Sequence, residues 1–194
     1  MTTTSKKKVN QQVETQQPVI VDPFAKPIGK YLVIEVEALE PIVAPAHCKS
    51  YTMYLVQKYN LEQKYGEVAL HLDRVFERVY CPVCNKYEPY VTGATLKSAI
   101  AMLKTIPKLR YIGVFFREED VYADTRPRTQ SCGKRVAINF EFVAPGSIGH
   151  AVIEYFDENA AKELIRSISS KEFFLSGWRS RGFGKARILN IKFV

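Results

Sequence analysis

Four cations (Arg179, Arg181, Lys185, Arg187) and three glycines (Gly177, Gly182, Gly184) fall in the run SGWRSRGFGKARI, Ser176 to Ile188, with no carboxylate among them. Glycine admits positive φ and lets a ligand come close to bare backbone N–H groups. Arg179 and Arg181 would add forked, charge-assisted bonds to phosphate oxygens. Trp178 and Phe183 could stack on a base or anchor the loop to the core. The chemistry on offer is the holding of a sugar-phosphate backbone; the plain alternative is a structural turn with its cations in water.

Cys81 and Cys84 form a CxxC, a spacing that lets two thiolates pinch Zn²⁺. A closed site needs two more ligands, and the linear order does not select among His47, Cys48, His71 and Cys132. A disulfide is the rival. A redox dithiol has less support, because no adjacent βα unit of that type is visible. His150, after Gly149 on a strand, reads as a polar residue on a solvated face. The segment TRPRTQSCGKR carries Arg126 and Arg128 and no acid, so it could meet phosphate or an acidic edge of a neighbouring subunit.

The elements that must position these residues can be read from periodicity. Tyr31 to Ala38 alternates Leu32, Ile34 and Val36 against Glu35 and Glu37, the mark of a strand with one buried face. Ser50 to Tyr65 has aromatic and aliphatic residues near helical spacing, and Val68, Leu70 and Leu72 alternate again. YCPVCNKYEPY reads as a loop. Thr92 or Thr95 can cap a helix carrying Leu96, Ile100 and Leu103, stopped by Pro107. Leu109 to Phe116 reads as a buried strand, and Glu118 to Gly133 as a long irregular segment. Arg135 to Val143 and Ile148 to Phe156 both alternate, which predicts an antiparallel hairpin about the turn at APGS. Asp157 caps a second helix through Ile168, and Lys185 to Val194 closes the chain as a strand. Ala186, Ile188, Ile191 and Val194 face inward there, which requires an irregularity near Asn190.

With the insertions left out, the order is strand, helix, strand, strand, helix, strand. That is the α+β, ferredoxin-like (RRM-like) βαββαβ arrangement, with two helices on one sheet face and the other face available. The expected organisation is a polar arm over residues 1–26 and one domain over 27–194, with insertions at about 46–90 and 117–134.

Composition is consistent with this. The 194 residues include 46% hydrophobic ones, enough for a substantial core, and 28 basic against 20 acidic side chains give a formal charge of +8. That excess favours a polyanionic partner. No apolar run reaches the roughly 18 residues of a membrane span, and the opening lacks the hydrophobic centre of a secretory signal. A cytoplasmic location without membrane partners is the expectation.

Two segments resemble a known family. SGWRSRGFGKARI is similar to the carboxy-terminal glycine-rich motif of the repeat-associated mysterious protein (RAMP) superfamily of CRISPR-associated RNA-binding subunits. PYVTGATLKSAI, Pro89 to Ile100, resembles the Pro-Tyr-Ile-Pro-Gly-Ser-Ser-Leu-Lys-Gly-Ala segment that opens the first helix of backbone subunits in type III effector complexes. The likeness runs thinly from about Tyr31 to the end and is dense only over these two stretches. This chain departs from the pattern with Thr92, Gly93, Ala94 and Thr95 in place of Pro-Gly-Ser-Ser, and with Ser98 in place of a second glycine.

The resemblance implies a crRNA-binding backbone subunit in antiviral defence. Its partners would be crRNA, target RNA and other effector subunits, including neighbouring backbone copies. Thr92, Gly93, Ala94, Thr95 and Lys97 would line the guide backbone, together with Gly177, Arg179, Arg181, Gly182 and Gly184. It also implies that Asp73, twenty residues before Gly93, could hold Mg²⁺ or Mn²⁺ beside a scissile phosphate and help cleave target RNA. The rival within the superfamily is a metal-independent CRISPR RNA-processing endoribonuclease, with His47 as general base and Tyr51 or Lys49 beside it. A third reading is a non-catalytic subunit whose basic strips dock acidic proteins.

Overall fold

The alternation of Leu32, Ile34 and Val36 does what period two requires: all three are fully buried on one face of the first strand, while Glu35 and Glu37 stay partly exposed on the other. A computed structural model describes residues 30–100, 106–129, 132–168, 172–177 and 179–194. The expected amino-terminal arm, the expected continuation of the helix through Leu103, and Trp178 lie outside the described residues.

In chain order the elements are β1 (Lys30–Ala38), β2 (Ile42–Val43), α1 (Lys49–Lys58), α2 (Leu61–Tyr65), a 3₁₀ turn (Gly66–His71), β3 (Leu72–Arg74), β4 (Glu77–Cys81) and β5 (Lys86–Thr92). There follow α3 (Gly93–Ile100), β6 (Leu109–Phe115), β7 (Val121–Thr129), β8 (Arg135–Val143), β9 (Ile148–Tyr155), α4 (Glu158–Ser167), β10 (Glu172–Phe174) and β11 (Lys185–Phe193).

A seven-stranded sheet has the order β10-β11-β1-β9-β6-β5-β4. Its centre, β11-β1-β9-β6, is antiparallel throughout. With α3 after β1 and α4 after β9, it is a ferredoxin-like βαββαβ core. Leu96 and Ile100 of α3 and Ala161 and Leu164 of α4 pack on the face that carries Leu32, Ile34, Ala151 and Ile153. Each such Leu or Ile contributes roughly 1.5–3 kcal/mol by leaving water. Asp157 caps α4, its carboxylate accepting from Asn159 N at 3.0 Å. The predicted irregularity in β11 is present: Glu35 faces Asn190 but Val36 faces Ile188, so Leu189 is the extra residue of a bulge. Val194, expected inward, is 58% exposed.

The hairpin of Arg135 to Val143 with Ile148 to Phe156 does not form. β8 lies in a second sheet, of order β2-β8-β3, and also pairs along its length with β7. The turn between β8 and β9 is tied instead to β1, with Gly146 N donating to Ala38 O at 2.7 Å and Ala38 N to Ser147 O at 3.0 Å. That tether sends β9 into the first sheet between β1 and β6. Alternation marks both strands equally, and only these long-range bonds separate them.

Three local readings change for similar reasons. Residues read as irregular become β7, whose outer half, Thr125 to Thr129, is polar and exposed and shows no apolar period. YCPVCNKYEPY is the β4–β5 hairpin, turned by Asn85 at φ 55°. The alternation of Val68 and Leu70 belongs to the 3₁₀ turn, where Ala69 is buried and both larger residues are exposed. The second face of the main sheet is not open either. Tyr31, Val33, Phe115 and Val152 are buried there with Cys81, and Val79, Val83 and Cys84 of the β4–β5 hairpin pack against them.

Candidate nucleic-acid interface

The residues of PYVTGATLKSAI pass from β5 into α3 through a cap. Thr92 Oγ1 accepts from Thr95 N at 3.3 Å and lies 3.0 Å from Thr95 Oγ1. Tyr90 OH accepts from Gly93 N at 3.2 Å. Ala94 is then the first-turn residue with an amide left to offer a ligand, among the described residues. Gly93 is dictated by packing: a Cβ there would strike the main-chain oxygens of Tyr111 and Ile112.

The terminal loop is built from a different set of contacts. Leu175 N donates to Gly184 O at 2.8 Å and Gly184 N to Pro41 O at 2.9 Å, closing the loop at its base. Phe183 is buried with Val43 and Phe140, its ring edge-to-face with Phe140 at 6.0 Å. Of the two aromatics in this motif, Phe183 is therefore an anchor of the loop and not a stacking platform, while Trp178 lies outside the described residues. Gly182 and Gly184 have φ of 75° and 94° and are required by the turn. Gly177 is different: its φ is outside the left-handed region, and a Cβ would meet nothing within 4 Å. The fold leaves room for a side chain where the sequence has none.

The two motifs meet across a groove of about 480 Å³. One wall carries Thr92, Ala94, Thr95 and Ser98; the other carries Phe174, Ser176, Gly177 and Arg179. Val43 to Pro45 and Arg74 form the floor. Arg179 stacks its guanidinium over Phe174, 5.0 Å from the ring centroid. Arg74 donates through Nη1 to Ala44 O at 3.3 Å. Burial, and then the nearby charge of Arg128, lower the pKa of Arg74, with Asp73 opposing; as an arginine it stays charged. Arg128 therefore adds to a positive potential that Arg74 and Arg179 already create.

The remaining candidates lie around this groove. Lys97 is exposed on α3, and Arg181 is exposed on the 3₁₀ turn Arg179–Arg181. Arg126 on β7 donates to Asp124 Oδ2 at 2.8 Å and lies over Phe183, 5.9 Å from its centroid. It thereby joins the basic strip to the terminal loop. Arg74 is the residue that reading the sequence missed; beside Asp73 it looks like one half of a surface ion pair, and only the placement of β3 puts it on the groove floor.

Asp73 lies outside the groove lining. Its Oδ2 accepts from Asn139 N at 3.0 Å, which fastens β3 to β8. His47 and Tyr51 are in contact, edge-to-face at 5.1 Å, at the start of α1 near Lys49. Cys81 and Cys84 are near each other and near Glu88 at the tip of the β4–β5 hairpin. No described helix is long and apolar enough to cross a membrane.

No protein-family model matches the sequence, and no curated protein matches it. Among solved structures the fold is similar to that of a chain in the cryo-EM structure of the Type III-B Cmr-beta bound to cognate target RNA. The TM-score is 0.53 and the identity 11%, over 85% of this chain and 60% of that one. The chain thus spans less than two thirds of that neighbour, and the likeness is one of fold.

Proposed function

We propose that this chain is a crRNA-binding backbone subunit of a type III CRISPR effector complex, holding the phosphate backbone of the guide in the groove between α3 and the terminal loop. One observation carries the reading. Two segments more than seventy residues apart, each similar to an RNA-contacting motif of the RAMP superfamily, form opposite walls of one groove with Arg74 and Arg179 in it. The space left at Gly177 and the amide of Ala94 suit a backbone ligand that comes close to the main chain. The fold shared with a chain of a Type III-B Cmr-beta particle supports the same reading.

Contacts of this kind grip phosphate and leave sequence to base pairing. Arg179→Ala with Arg181→Ala is expected to weaken crRNA binding for unrelated guide sequences and to flatten the dependence of log K on log[salt] by about two charges. Arg74→Gln, added to the pair, should flatten it further. Binding unchanged across the salt titration would overturn the groove assignment. Ribonuclease activity without added metal, lost in His47→Ala, would favour the processing enzyme instead.

A further inference from the structure

The tip of the β4–β5 hairpin collects four side chains that have no part in the groove. Cys81 ends β4 and is fully buried, and Cys84 follows in the turn. Cys84 N donates to Cys81 Sγ at 3.2 Å, which folds the CxxC turn around the Cys81 sulfur. Glu88 on β5 is 3% exposed, and one ligand atom each from Cys81, Cys84 and Glu88 lie within 4.8 Å of one another. From the central strand β9, His150 brings Nδ1 to 4.0 Å from Cys84 Sγ.

We infer that Cys81, Cys84, Glu88 and His150 form a structural site for Zn²⁺ that staples the hairpin tip to the sheet. Ligand atoms around a tetrahedral zinc ion lie roughly 3.3–3.8 Å apart, given Zn–S of about 2.3 Å and Zn–N and Zn–O of about 2.0 Å. Cys84 Sγ and His150 Nδ1 are already near that spacing. His150 lies outside the set of Cys81, Cys84 and Glu88 whose ligand atoms are all within 4.8 Å of one another, so its imidazole has to swing toward the other two on binding. Lys86 Nζ holds Glu88 Oε1 at 2.8 Å and so fixes the carboxylate beside the cysteines. Glu35 stands directly across from His150 on β1, where a carboxylate can orient a metal-bound imidazole. Buried Cys81, half-buried Cys84 and buried Glu88 form a mixed thiol and carboxylate donor set of the kind Zn²⁺ accepts, and the one cation already beside Glu88, Lys86, is more than half exposed and able to yield to an ion. His150, which the sequence reads as a solvated polar residue, becomes the ligand that reaches the tip from another strand. The inference is independent of RNA binding.

The test uses the full chain purified under reducing conditions. Elemental analysis should find about one zinc per chain, and Co²⁺ exchanged into the site should give the visible bands of a tetrahedral ion with thiolate charge-transfer absorption. Competition with a chromophoric chelator should show His150→Ala and Cys84→Ser each weakening zinc binding at least about tenfold, while Cys48→Ser leaves it unchanged. A metal-free chain overturns the site, whether thiol titration finds all four cysteines free or Cys81 and Cys84 oxidised to a disulfide. Zinc retained with unaltered affinity in His150→Ala overturns the ligand set.

Discussion

Arg78 and Glu141 make a two-pronged ion pair between the two sheets: Nη1 donates to Oε2 at 2.8 Å and Nη2 to Oε1 at 2.7 Å. Arg78 belongs to β4 of the main sheet and Glu141 to β8 of the smaller one, and their side chains are 6% and 0% exposed. Glu141 Oε2 also accepts from Phe76 N at 2.8 Å, and Oε1 from Tyr65 OH at 3.0 Å. Glu118 takes the outer side of the guanidinium and Lys64. Every strong partner is matched, which is the condition under which a buried pair persists. Removing one partner strands the other. Glu141→Gln is therefore expected to cost about 3–5 kcal/mol in chemical denaturation, and Arg78→Met with Glu141→Leu should cost less than the sum of the single changes.

Acid should act on the same network. Burial by itself would raise the pKa of Glu118, but the hydrogen bonds and charges of Arg78 and Lys64 outweigh it and hold the carboxyl below its ordinary value. A carboxyl that is more acidic folded than unfolded stabilises the fold above its unfolded pKa of about 4.3, and the contribution is lost as pH falls through the lower, folded value. Tm measured from neutral pH downward should drop through that window. Glu118→Gln should show a shallower acid limb.

Glycines 93 and 177 should separate fold from function. Gly93→Ala puts a methyl group into the main chain of β6 and is expected to destabilise by about 1–3 kcal/mol or more. Gly177→Ala meets nothing within 4 Å, so Tm should stay unchanged while crRNA affinity falls. A Gly177→Ala chain that binds guide as tightly as the parent would remove the close approach from the proposal.

Asp73→Asn is expected to leave guide binding intact, because the carboxylate is outside the groove and serves Asn139. Guide-matched RNA incubated with Mg²⁺ or Mn²⁺ is the check on its chemistry. Cleavage at regular intervals by the parent chain, abolished in Asp73→Asn, would give that carboxylate the metal-binding role that its position ahead of the second motif implies.

Much of the core was legible because its signals are local. β1, the first described turns of α3, β9, α4 and β11 each carry their own period, β6 is a continuous apolar run, and even the bulge at Leu189 follows from the inward set Ala186, Ile188 and Ile191. What escaped was pairing. β7 has a polar outer half, and the CxxC hairpin carries two prolines and a turn, so neither announces a partner. β8 and β9 both alternate, yet they belong to different sheets. Apolar alternation records that one face of a strand is buried, not which strand lies beside it.

The candidate sites divide in the same way. Residue types and spacing identified the glycine-rich loop and the cysteine pair, because cations, bare amides and thiols are chemical properties of the residues themselves; the Thr92 to Thr95 segment read only as a helix cap, and its likeness to a family motif made it a candidate site. Only the folded chain decided that the glycine-rich loop and the Thr92 to Thr95 segment face each other, that Arg74 lies between them, and that Glu88 and His150 come near the cysteine pair. Those relationships cross from strand to strand, and the distance between side chains on different strands is fixed by register and sheet order, which no stretch of linear sequence encodes by itself.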